Sequence, residues 1–345
     1  MKPNTIAFAL IFCAATTAAQ PSAEQKVFGM PGAATGTTAA KTPEPQAASK
    51  TVTPSVKTAR TANKLPPQAQ AKQMYDRFNA GDLLYASKLK DAANAGNPWA
   101  ALQYGFLAHR GRLPGQKGVN LALAHKAYMK AVRQGGTLTG NHLAAYNLGL
   151  IYYYGGNGFA KDGREALKWF GLANQSYREF KKSQGATFWP AALYSAQMLE
   201  NGYGGVKADK AAARIHWQAA ARANDPAALY GLGRSVAPEN PFVAIASFKK
   251  AADRWHVPSM LALAKWYSTN DRLHQADPVQ AAAWLQTAAM VDRRYSAQAA
   301  SYSRRLNAKQ QQTVSSKAAQ WFKSRGMKPP VHDYSAPLNE DPAAR

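Results

Sequence analysis

Residues 151–170 read IYYYGGNGFAKDGREALKWF, a glycine cluster that runs into a lysine and then into a helical pattern. A glycine-rich turn at the start of a helix can cradle a phosphate, because backbone N–H groups and the helix dipole both favour an anion there. The phosphate loop also requires Ser or Thr directly after its lysine, and Asp162 follows Lys161. The dinucleotide fingerprint requires a preceding strand, and the residues before Gly155 carry a helical pattern instead. The glycines therefore read as a joint. Gly155 supplies a left-handed backbone that ends one helix, Gly156 and Gly158 turn the chain, and Asp162 begins the next helix.

Other chemically capable residues reduce to structure in the same way. Ser247 and Lys250 have the S-x-x-K spacing of an acylating serine, but no S-D-N or K-T-G follows them. The seven histidines include no H-E-x-x-H, and none stands at ligand spacing to an acid. No pair of carboxylates is placed for acid–base hydrolysis, and Glu200, alone beside a turn, reads as solvated. The expectation is a non-catalytic chain with no metal site and no cofactor. Trp189 and Trp255 fall near unit junctions and are expected to be partly exposed.

Two basic clusters have the composition of contact surfaces. SYREFKKSQG places Arg178, Lys181 and Lys182 beside Tyr177 and Phe180, a mixture typical of interfaces. The other holds Arg293, Arg294, Arg304 and Arg305. Paired arginines suit carboxylates and phosphates because the guanidinium fork is bidentate. The whole chain of 345 residues carries a net charge of +24, a field that draws anions such as acidic proteins, wall polymers or lipid headgroups.

The elements that would position these groups begin after two segments of different character. Residues 1–19 have the layout of a cleavable signal peptide: Lys2, an apolar run, then Thr17-Ala18-Ala19. This implies a periplasmic or secreted protein. The single cysteine, Cys13, follows the bulky Phe12 and does not fit a lipoprotein site. Residues 20–66 are Ala, Thr, Pro, Lys, Ser and Gly, too poor in large apolar side chains to offset ordering entropy, and read as a disordered linker. No later segment is apolar enough to anchor the chain across a membrane.

Beyond the linker the chain repeats. From Asp162, Ala166 lies four residues on, Trp169 seven, Phe170 eight and Ala173 eleven. The same offsets from Asn120, Asp209, Asn240 and Asp277 again give small, large and small residues, with large apolar Tyr128, Trp217, Phe248 and Leu285 at the eighth place. Offsets of four, eight and eleven share one helical face. A second helix precedes each, with a stripe such as Ala144, Leu148, Gly149 and Tyr152. A hairpin with such a stripe cannot bury it alone, but stacked hairpins can. The fourth joint, RSVAPENP, lacks the glycines.

The stretch AAYNLGLIYYYGGNGFAKDGREALKWFGLA resembles a Sel-one-like repeat, a branch of the tetratricopeptide-like helical solenoids. The resemblance rests on Ala144, Leu148, Gly149, Tyr152, Gly155, Gly158, Asp162, Ala166, Trp169, Phe170 and Ala173. It implies an all-α, right-handed solenoid of stacked hairpins, with N-terminal capping helices at 67–95, five repeats at 96–290, a C-terminal capping region at 291–326 and a flexible tail at 327–345. It also implies an adaptor whose concave groove, lined by the first helix of each unit, receives envelope or host proteins. An anionic polysaccharide is the alternative ligand, and an exported chain argues against nucleic acid. Asn307 and Gln310 stand at capping-box spacing ahead of the closing helix.

Overall fold

The computed structural model describes residues 65–135, 141–270, 274–326, 335–340 and 342, all within the compact unit Thr61–Arg345. The expected signal peptide and all but the last two residues of the expected linker lie outside the described residues.

The described residues form fourteen α-helices and one 3-10 turn. Helices α1 (Pro67–Asn79) and α2 (Leu84–Asn94) precede five hairpins. These are α3 (Pro98–His109) with α4 (Leu121–Gly135), α5 (Asn141–Tyr154) with α6 (Gly163–Lys181), and α7 (Trp189–Asn201) with α8 (Lys210–Ala221). Then come α9 (Pro226–Val236) with α10 (Pro241–Ala252) and α11 (Val257–Tyr267) with α12 (Pro278–Val291). The turn Arg293–Tyr295, α13 (Ser296–Ser303) and α14 (Ala308–Arg325) follow. The two helices of each hairpin pack on each other, and the second helix of each packs on the helix that opens the next unit or on the closing helix α14, as a solenoid requires.

Local sequence explains where the second helices begin. Asp162 accepts from the backbone N–H groups of Arg164 and Glu165. Asp209, Asn240 and Asp277 cap α8, α10 and α12 in the same way, and Asn120 accepts from Leu123 at the start of α4. The residues four, eight and eleven after each cap are buried in all five hairpins. Phe170 shows why a glycine opposes it: a Cβ on Gly149 would stand 2.5 Å from the Phe170 ring. The helices pack at that distance only because nothing projects between them.

The glycine joint forms as expected. Gly155 has φ +64° and its N–H donates to the Ile151 carbonyl, closing α5. Gly156 and Phe159 then exchange backbone hydrogen bonds of 2.8 and 3.0 Å in a single antiparallel bridge. Tyr203 and Val206 repeat this bridge in the next unit. The two joints are linked, since the Gly163 N–H donates to the Gly204 carbonyl at 2.8 Å.

One apolar cluster runs from Ala71 to Met198, and the second half of the array divides into separate clusters around Trp217, around Phe248 with Trp284, and around Val314. Helix α14 closes the last hairpin. Trp321 meets Trp255 edge-to-face at 4.9 Å, and Asn307 and Gln310 complete their capping box.

The expectation of a loose tail fails for Ser335–Glu340. Pro337 is buried, and Leu338 packs against the first apolar cluster. The backbone there is satisfied by side chains of α3 and α5, long-range partners that composition does not reveal.

Candidate interaction surface

Helices α3 and α5 hold equivalent registers in the first two hairpins. Ala100-Ala101-Leu102-Gln103-Tyr104-Gly105 aligns with Ala144-Ala145-Tyr146-Asn147-Leu148-Gly149. Each stripe therefore carries one carboxamide among apolar neighbours, Gln103 in α3 and Asn147 in α5, and both are buried. The same register holds Tyr194, Gly231 and Ala262 in the later hairpins.

The two amides read polypeptide. Asn147 Oδ1 accepts from the Leu338 N–H at 2.8 Å, and Asn147 Nδ2 donates to the Leu338 carbonyl at 2.7 Å. One carboxamide thus supplies both bonds that a neighbouring strand would supply to one residue. Gln103 Nε2 donates to the Asn339 carbonyl, and Gln103 Oε1 accepts from Asn339 Nδ2, both at 3.2 Å. Tyr128, on α4, is fully buried beside Gly105 of α3. Burial pushes its phenol well above the ordinary value, so the ring stays neutral, and its hydroxyl lies 3.4 Å from His109 Nδ1.

The predicted basic insertion borders the same surface. Helix α6 runs on to Lys181 and ends on Lys182, which takes φ +50°. Tyr177 is not a surface residue: its ring packs against His142 at 5.1 Å and Phe188 at 5.4 Å. Sequence placed it outside because its companions are charged, but it falls one helical turn after the buried Ala173. Arg178 and Phe180 are half-buried, while Lys181 and Lys182 are exposed. The Lys181 ammonium stands 5.3 Å from the Tyr177 centroid and 5.5 Å from that of Phe180. Lys72, Gln103, Phe180, Lys181, Asn339 and Glu340 line one cavity of about 540 Å³.

The C-terminal arginines lie elsewhere. Arg293, Arg294, Arg304 and Arg305 are all exposed. Arg294 is tied to Asp292, with Nε 2.9 Å from Oδ2, and Arg305 lies over the Tyr302 ring. Arg293 borders a cavity of about 690 Å³ beside Met290, Gln311 and Phe322.

The residues weighed for catalysis have structural partners. Ser247 Oγ donates to the Val243 carbonyl at 2.9 Å, inside its own helix. Glu200 is not solvated: its side chain is 15% exposed and pairs with Arg234. Burial lowers His109 and His256 to about 4, and His256 Nδ1 lies 2.9 Å from Ser259 Oγ. Among the described residues no three His, Cys, Asp or Glu side chains gather to hold a metal. No described helix is long and apolar enough to cross a membrane. Trp189 and Trp255 are half-buried, and Trp255 spends its face on Trp321 and Phe322.

Sequence reasoning missed Gln103, Asn147 and the tail. The available signal was the pair of carboxamides at one register of an otherwise apolar stripe.

The Sel1 repeat profile matches residues 142–175, 189–225 and 257–291, which are the second, third and fifth hairpins. The chain carries Sel1 repeats. Its first and fourth hairpins lie outside that match yet keep the buried positions and the capping residue of the Sel1 units. The crystal structure of a Sel1 repeat protein from Oxalobacter formigenes is 22% identical, with a TM-score of 0.51 over 65% of this chain and 84% of that one. It agrees with the fold. The crystal structure of c5321, a protective antigen of uropathogenic Escherichia coli displaying an SLR fold, is 19% identical with a TM-score of 0.44. That likeness covers 75% of this chain and only 61% of the antigen. No curated protein matches the chain. Sel1 repeats typically serve as scaffolds for protein–protein interaction and are generally non-catalytic.

Proposed function

We propose that the protein is a non-catalytic adaptor that binds other proteins through the face formed by its first helices, in the cell envelope or after secretion. The observation that carries this reading is the continuous stack of five hairpins, which presents α3, α5, α7, α9 and α11 in one register. A preformed surface binds through many modest contacts with little ordering cost. The envelope location rests on the signal-like residues 1–19. Tyr177 supports this surface from within the core, whereas Arg178, Phe180, Lys181 and Lys182 stand at its edge.

Cross-linking and affinity capture of the full chain from native envelopes test the reading. The wild-type chain is expected to retain a defined protein set that resists moderate salt. Reversal of Arg178, Lys181 and Lys182 to Glu is expected to change that set. Recovery of no specific protein overturns the reading.

A second reading, binding of an anionic polysaccharide, is favoured by the exposure of Arg293, Arg304 and Arg305. Its signature is affinity for the polymer that falls steeply with salt, as condensed counterions are released. Reversal of those arginines to Glu would then abolish binding and leave the protein contacts intact.

A further inference from the structure

The segment Ser335–Glu340 lies in the way of any protein that would use α3 and α5. Its contacts are of two kinds. Asn147 engages only the backbone of Leu338, and Gln103 engages the backbone and amide of Asn339. The side chains have their own places: Pro337 is buried, Leu338 reaches the apolar cluster, and Glu340 shares a cavity with Lys72 and Lys181. Backbone bonds give affinity to any extended chain, and the side-chain places choose among them.

We propose that Gln103 and Asn147 form the floor of a binding site for a short acidic segment of a partner protein, and that residues 335–340 fill it until such a segment displaces them. The chain's own sequence Ser-Ala-Pro-Leu-Asn-Glu specifies what fits. The partner segment carries a small or proline residue, then an aliphatic side chain, then an amide and a carboxylate. Charge complementarity agrees, since the chain is strongly cationic and Glu340 stands in a cavity lined by Lys181 and by Lys72, the latter paired with Asp76 at 2.7 Å. A segment carried on the same chain competes at a high effective concentration. Only a partner that binds tightly, or arrives in several copies, would open the site.

The adaptor reading enters this inference only in supposing that a partner exists. The site itself is tested without one. The probe is a fluorescent synthetic peptide of residues 333–342, DYSAPLNEDP, added to full-length protein. Leu338→Arg in the full chain places a cation against the apolar cluster on which Leu338 packs, and is expected to release the tail. This variant is expected to bind the peptide saturably, about tenfold or more tighter than wild type, a ratio equal to loss of one or two net hydrogen bonds from the competing tail. Adding Asn147→Ala to Leu338→Arg is expected to remove binding, and adding Gln103→Ala to weaken it about threefold to tenfold. Because Asn147 is buried, circular dichroism melting accompanies each variant, and the Gln103 variant keeps the test valid if the Asn147 variant unfolds.

No binding by folded Leu338→Arg overturns the proposal. Equal binding by wild type and Leu338→Arg does so too, as does binding indifferent to Gln103. A wild-type dimer formed by exchanged tails would make a second copy the occupant and would also overturn it. The two readings fail separately. Peptide binding without any captured envelope protein sinks the adaptor reading alone. Capture that is the same for wild type, Leu338→Arg and Gln103→Ala sinks this inference alone.

Discussion

The second and fourth hairpins solve the same problem with different materials. Both must close a first helix, turn the chain and start a second helix against it. The second does this with backbone: three left-handed glycines, Gly155, Gly156 and Gly158, a two-bond bridge and a capping aspartate. The fourth has no glycine in its joint and uses charge. Arg214 donates to both Glu239 carboxylate oxygens at 2.6 and 2.7 Å and to the Ser235 carbonyl at 3.0 Å, and Arg234 pairs with Glu200 of the preceding hairpin. The cores differ in parallel. Phe170 is fully buried in a cluster shared with the capping helices, whereas Phe248 retains 7% exposure in a smaller one. One geometry can therefore be held by conformational restriction or by ion pairs, and only the second should respond to solution conditions.

The largest expected effect compares the two rings. Phe170→Ala leaves a cavity in a fully packed seam and should cost about 3–5 kcal/mol, while Phe248→Ala should fall at or below the lower end of that range. Chemical denaturation of the two variants checks this, and equal losses would erase the distinction between the cores.

Acid comes next and should not distinguish the halves. His109 in α3 and His256 before α11 are each held at about 4 by burial, against the usual 6.5. The unfolded chain therefore takes up protons that the folded chain refuses. Stability is complete above pH 6.5 and falls as the pH drops toward 4, by an amount of order 3 kcal/mol per histidine. Melting temperature measured across that range should fall, and His109→Phe should flatten the curve in part.

Gly155→Ala isolates the backbone solution. It forces a side chain into φ +64° and brings its Cβ to 2.9 Å from the Phe159 carbonyl, for an expected loss of about 1–2 kcal/mol that salt does not change. The smallest effect belongs to Arg214→Ala. Its carboxylate partner is exposed, so the loss should be below that of Gly155→Ala and should vanish at high salt. A loss that survives high salt would show that Arg214 acts through packing rather than charge.

The sequence made these hairpins legible because their determinants are local. The cap residue, the buried places at four, eight and eleven, and the glycine facing Phe170 all lie within one hairpin and follow helical geometry. Tyr177 was misplaced because a short charged insertion masks its alignment with Ala173. Glu200 was misplaced because its partner, Arg234, belongs to the next hairpin. The tail was least legible. Pro-Leu-Asn-Glu has the composition of a loose end, and its order depends on two amides roughly two hundred residues away, with separations of 236 and 191. No periodicity records a contact of that range.

Helix α14 has a consequence for how far the array can grow. A stack of like hairpins has no intrinsic length, and an uncovered last face can accept the first face of another molecule, which leads to open-ended polymers. Val314 and Trp321 cover that face, with Leu306 and Ala282 packed beside Val314. The helix thus stands where a further hairpin, or the first face of another copy, would otherwise stack.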